Sequence, residues 1–167
     1  MTLSFNSAEK TIIILNDLIK INNDRIACYE RAIGNEKNLD TDLKQIFSDV
    51  IAEANNNKQQ LIDKVKSLSR NPKDASTLSG ILHRAWTDLK VTLIGESRKA
   101  IINSCLYNEE IAQHTYEAAL NVSGKMSEDV HTIIQQQHAG IKETYNHIKS
   151  YREVASYYGA SRLAYAN

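Results

Sequence analysis

The sequence is poor in chain breakers. One proline, Pro72, and six glycines are spread over 167 residues. Gly34, Gly80, Gly95, Gly124 and Gly159 fall where helical periodicity starts or stops, and Gly140 alone lies inside a periodic segment. So few breakers exclude a turn-rich β protein and leave long helices. There is no excess charge of either sign, with 20 Lys and Arg against 20 Asp and Glu. That balance excludes the electrostatic footprint of a nucleic-acid binder and an acidic solvating tail. The longest apolar stretch, Thr11 to Leu15, is too short to cross a bilayer. Met1 to Asn6 lacks a basic n-region, so no secretory signal is expected. The two cysteines, Cys28 and Cys105, have no CxxC spacing and sit on apolar helical faces, which predicts reduced, buried thiols in a cytoplasmic protein. No Ser-His-Asp or Cys-His arrangement and no glycine-rich phosphate loop is legible, so nucleophilic and phosphoryl chemistry have no support.

What is present is apolar spacing of three and four. A first helix is predicted from Ser7 to Ile33, with seam Ile12, Leu15, Ile19, Asn22, Ile26, Tyr29, Ile33. A second runs from Thr41 to Ser69, with seam Leu43, Phe47, Val50, Ala54, Asn57, Leu61, Val65, Leu68, and stops before Pro72. A third runs from Ser97 to Asn121 through Ile102, Cys105, Glu109, Ala112, Tyr116 and Ala119. A fourth starts at Ser127 and runs through Val130, Ile134, Gln137, Ile141, Tyr145 and Ile148 to Ala155. Between the second and third, a short amphipathic helix carries Leu82, Trp86, Leu89 and Leu93 on one face, with Trp86 as its anchor. Two hairpins with short loops and one long crossover define an all-α, ferritin-like four-helix bundle. The chain is expected to be one domain over 1–167, with a core of about 7–158 and a loose tail at 159–167.

Each long seam carries a polar residue near its middle: Asn22, Asn57, Glu109 and Gln137. Glu53 lies one turn from Asn57, and His138 adjoins Gln137. Antiparallel pairing is expected to put Asn22 level with Glu53 to Asn57, and Glu109 level with Gln137 to Gly140. One polar layer across the bundle centre follows. Di-iron proteins of this architecture build that layer from a Glu on each of two helices and Glu-x-x-His on the other two, because carboxylates neutralise and bridge the cations. Here the second helix has Glu53-x-x-Asn56 and the fourth Gln137-x-x-Gly140, so the match is poor. The candidates for a metal are Glu30, Glu53, Glu109 and His138, with iron or another divalent cation as the cofactor of that alternative. Polar side chains that hydrogen-bond one another are the simpler reading. Glu128 and His131 read as a capped helix start, and His114 and His147 as surface partners of nearby glutamates. His83 and Arg84 read as solvated residues beside Trp86, with an anion contact as the alternative.

The chain resembles a bacterial family of uncharacterised four-helix proteins of the ferritin-like superfamily. The resemblance rests on Leu15-Asn16-Asp17-Leu18-Ile19, on Gly-x-Leu-His-Arg-x-Trp over Gly80 to Trp86, and on Glu109-Glu110 followed by Tyr116. It covers about Lys10 to Arg152. It implies the fold and marks Glu109 as a family position, and it implies no activity. Where the family has glycine before that glutamate, this chain has Asn108.

These features predict a cytoplasmic bundle without a cofactor or catalytic constellation. It would act as a homo-oligomer or by binding a protein partner, with neither nucleic acid nor membrane as a target. Tyr151, Tyr157, Tyr158 and Tyr165 are candidates for an interface. Burial of Glu109 is expected to raise its pKa, so that without metal Glu109→Gln is neutral or stabilising at pH 8.

Overall fold

The computed structural model describes residues 7–34, 39–69, 97–122 and 126–164, with backbone alone for Val122 and 155–164. Four helices account for nearly all of them. They are α1 (Ser7–Gly34), α2 (Thr41–Leu68), α3 (Arg98–Val122) and α4 (Glu128–Ala164). The expected boundaries of α1 to α3 hold within a residue or two. The short helix expected around Trp86, and the Gly80 to Trp86 segment, lie outside the described residues.

The starts have identifiable causes. Asp40, in an extended conformation (φ −75°, ψ 164°), accepts a hydrogen bond from the Leu43 backbone N–H and caps α2. Ser97 caps α3 through the Ala100 N–H at 3.2 Å. Glu128 and Asp129 open α4 with negative charge at the positive end of the helix dipole. At its other end α4 extends to Ala164.

Cross-helix contacts settle the directions. Arg25–Glu109 and Asn22–Tyr116 align α1 antiparallel to α3. Tyr116–Gln137 and Asn103–Arg152 align α3 antiparallel to α4. Asp40–Tyr151, Glu53–Thr144 and Lys64–Asp129 align α2 antiparallel to α4. Since α1 and α2 form a hairpin, α2 and α3 run parallel. The end of α2 and the start of α3 therefore lie at opposite ends of the bundle, about the length of α2 apart, a helix of 28 residues or about 42 Å. Two antiparallel hairpins joined by a long crossover are the ferritin-like topology.

The apolar interior is in two parts. One end holds Cys28, Tyr29, Leu43, Phe47, Val50, Ile101, Cys105, Leu106 and Ile148, with the Tyr29 and Phe47 rings edge to face at 5.1 Å. The other holds Leu15, Leu18, Ile19, Leu61, Val65, Ala112, Val130, Ile134 and Ile141. Both cysteines are free and buried, as expected. Between the two clusters lies the polar region.

Candidate functional site: a two-storey polar layer

Each helix contributes one residue to each of two polar storeys, one turn apart on α1 and α2 and two turns apart on α3 and α4. The first storey is Arg25 of α1, Glu53 of α2, Glu109 of α3 and Thr144 of α4. Arg25 is fully buried, at a position that the seam read from the sequence does not include. Its Nε donates to Glu109 Oε1 at 2.9 Å, and its Nη2 lies 3.5 Å from Glu53 Oε2. Thr144 Oγ1 donates to the same Glu53 oxygen at 2.9 Å. The second storey is Asn22, Asn57, Tyr116 and Gln137. Asn22 Nδ2 donates to the Tyr116 hydroxyl at 2.7 Å, which donates onward to Gln137 Oε1 at 2.8 Å. Gln137 Nε2 then reaches the Asn57 carbonyl at 3.2 Å and Gln60 Oε1 at 3.0 Å. Arg25 Nη1 joins the storeys through Asn22 Oδ1 at 3.4 Å.

The electrostatics follow from burial. A guanidinium stays charged in proteins. Burial works against the Arg25 charge, but the Glu109 and Glu53 carboxylates outweigh it and drive its pKa further up. Burial lifts the Glu109 pKa above the ordinary carboxylate value, and neighbouring Glu53 adds to the rise. Arg25 and the Tyr29 hydroxyl pull it back only in part. Tyr29 stands near enough to favour ionised Glu109 without an aligned hydrogen bond, and Glu109 Oε2 likewise has none. Burial also raises Tyr116 and Tyr29, so both phenols stay neutral hydrogen-bonding groups.

The expected polar layer exists, with changes of membership and register. Asn22, Asn57, Glu109 and Gln137 are buried within it, and Glu53 forms its edge with 29% of its side chain exposed. The residue level with Gln137 is Tyr116, two turns along from Glu109, whose own partner is on α1. His138 is not part of the layer. Its Nε2 lies 3.7 Å from Oε1 of Glu117 on α3, whose second oxygen lies 3.5 Å from His114 Nδ1. Glu30 is exposed on α1, apart from the layer. Tyr151 is committed within the chain. Its hydroxyl donates to Asp40 at 2.7 Å and accepts from Arg98 at 2.9 Å, and the Arg98 guanidinium lies 5.2 Å from the Tyr151 ring centroid. The side chains of Tyr157, Tyr158 and Tyr165 lie outside the described residues.

A lone arginine on an amphipathic helix ordinarily reads as solvated, which hides the role of Arg25 in the sequence. A signal was nonetheless present. Arg25 follows Asn22 by three and precedes Tyr29 by four, which is seam spacing, and a carboxylate on the neighbouring seam calls for a cation.

Outside Glu53, a crevice of about 590 Å³ opens between α2 and α4. Its walls include Asn57, Gln137, Glu143, Thr144 and His147. Gly140 forms part of its inner surface. A Cβ there would lie 3.0 Å from Glu53 Oε1, so the glycine makes room for a carboxylate rather than for a neighbouring backbone.

These features define a ferritin-like four-helix bundle with a buried, charged centre. The chain matches the domain of unknown function DUF2383 over residues 10–122 and belongs to that family. In structure it is similar to a mutant of Dps1 from Mycobacterium smegmatis, with a TM-score of 0.74 at 8% identity, covering 90% of this chain and 99% of that one. No curated protein matches the chain in sequence. A ferritin-like fold raises the question of a di-metal centre, and the residues do not fit one. The place where carboxylates would bridge cations holds the Arg25 guanidinium, and α4 contributes Thr144 and Gln137 rather than a carboxylate and an imidazole. Among the described residues, no group of three or more His, Cys, Asp or Glu could hold a metal ion.

Proposed function

We propose that this chain is a metal-free structural or protein-interaction bundle, acting in the cytoplasm by association with copies of itself or with a protein partner. The observation that carries this reading is the Arg25 guanidinium at the centre of the layer. Side chains of all four helices bond to one another around it, so the interior serves to hold the bundle together. The free, buried thiols Cys28 and Cys105 fit a reducing compartment. Among the described residues no helix is long and apolar enough to cross a membrane. Association has a candidate surface in Tyr107 and Ile111, one turn apart on α3 and 66% and 40% exposed.

The test is elemental analysis of protein purified without chelator, with sedimentation of the wild type and Tyr107→Asp. The reading expects sub-stoichiometric metal and an oligomer or complex that Tyr107→Asp weakens. A full equivalent of bound transition metal would contradict it.

A further inference from the structure

We infer that the Arg25 guanidinium is the resident cation of the central layer and bars divalent cations from it, so that without Arg25 the oxygens around it form a site for one hard divalent cation. The inference rests on the metal-free reading above and gives it a cause.

Three oxygens from three helices converge on this one side chain. Glu109 Oε1 lies 2.9 Å from Nε, Asn22 Oδ1 3.4 Å from Nη1, and Glu53 Oε2 3.5 Å from Nη2. A carboxylate, a second carboxylate and an amide oxygen are the donor types that hard cations of the manganese and magnesium class prefer. Glu109 is fully buried, and its Oε2 has no hydrogen-bond partner, leaving a free acceptor at the centre. The crevice outside Glu53 supplies an entry path.

Charge decides the outcome. With Arg25 in place, a dication would bring the layer to a net positive charge, with two cations close together in a poorly solvated interior. Without Arg25, one dication balances the carboxylates of Glu53 and Glu109. Such a site is expected to bind weakly, because it has two carboxylates and no imidazole.

The experiment is a Mn²⁺ titration of the full chain at pH 8, followed by electron paramagnetic resonance and by melting with Mn²⁺ or with chelator. The variants are Arg25→Met, Arg25→Gln, Arg25→Lys and Arg25→Met/Glu109→Gln. Wild type and Arg25→Lys are expected to take up no Mn²⁺ and to melt identically in both conditions. Arg25→Met and Arg25→Gln are expected to take up one equivalent and melt higher with Mn²⁺, and adding Glu109→Gln is expected to abolish this. If the neutral variants are unfolded in chelator, Mn²⁺ is expected to restore their helicity. Failure of both neutral variants to bind or be rescued by Mn²⁺ would overturn the inference and leave the metal-free reading standing. Uptake of one equivalent of Mn²⁺ by the wild type would overturn both.

Discussion

Gly140 of α4 and Glu53 of α2 are fitted to each other: a methyl group at position 140 would stand 3.0 Å from Glu53 Oε1. A glycine in mid-helix costs about 1 kcal/mol against alanine. The cost is offset here because the carboxylate can hold its bonds to Thr144 and Asn57 and its approach to Arg25. Gly140→Ala is therefore expected to yield much less than about 1 kcal/mol in the wild type and close to that full amount in a Glu53→Ala background. Urea denaturation of the four proteins measures the difference. Equal gains in both backgrounds would remove the fitted relationship.

A second junction ties three helices at one end of the bundle. Asp40 caps α2 and also binds Tyr151 of α4 and Arg98 of α3. Burial would raise the Asp40 pKa, but the Tyr151 hydroxyl, the Leu43 N–H and Arg98 hold it below the usual carboxylate range. Asp40→Ala is expected to cost about 1–2 kcal/mol, as a helix cap does. Tyr151→Phe should cost about 1 kcal/mol for its hydrogen bonds. The sign with pH is that of a depressed carboxylate. Its contribution is present above the unfolded pKa and is lost as the solution is acidified through the folded one. Stability curves of wild type and Asp40→Asn should therefore converge on acidification, and parallel curves would show that Asp40 acts through shape alone.

Asp24 behaves in the opposite way. Burial raises its pKa to about 6, against the opposing pull of Lys20. A raised carboxylate pKa gives stability that is full below the unfolded value of about 3.9 and is lost as pH rises through the folded value. Asp24→Asn should match the wild type near pH 4 and melt higher at pH 8. A variant that melts lower at pH 8 would mean that charged Asp24 has a favourable partner.

Glu109 carries the same sign. Its pKa is raised because burial outweighs Arg25. Glu109→Gln keeps an oxygen acceptor for Arg25 Nε, so it should differ little from wild type near pH 4 and gain on it toward pH 8. Melting curves across that range in chelator test this. A Gln variant that loses ground as pH rises would show that the Arg25 pairing outweighs burial.

Much of this layer is legible in the sequence. The run Leu43, Phe47, Val50, Ala54, Asn57, Leu61, Val65 is buried throughout α2, because spacing of three and four marks the face a helix must hide. Glu109 is recognisable for a similar reason, as a carboxylate interrupting an apolar seam. Arg25 is legible only in part: its spacing to Asn22 and Tyr29 places it on the seam, but spacing alone does not distinguish a buried guanidinium from one that bends back to water. The error in register has a related cause. Pairing Glu109 with α4 assumes that a seam residue meets the helix next in sequence, whereas Glu109 meets α1, a contact separated by 84 residues. His138 reads as central in the sequence only because it adjoins Gln137, and one step along a helix turns a side chain about 100° away.

The central claim is that Arg25 and Glu109 form one buried unit that holds the layer without metal. A double-mutant cycle in chelator, with Arg25→Met, Glu109→Leu and both together, measures that unit directly. Each single variant leaves a buried charge without its partner and is expected to cost about 3–5 kcal/mol. The double variant replaces the pair with apolar volume and should recover most of that loss, giving a coupling of at least about 2 kcal/mol. Losses that simply add, to within about 0.5 kcal/mol, would show that the two side chains stabilise the bundle independently and would contradict the account.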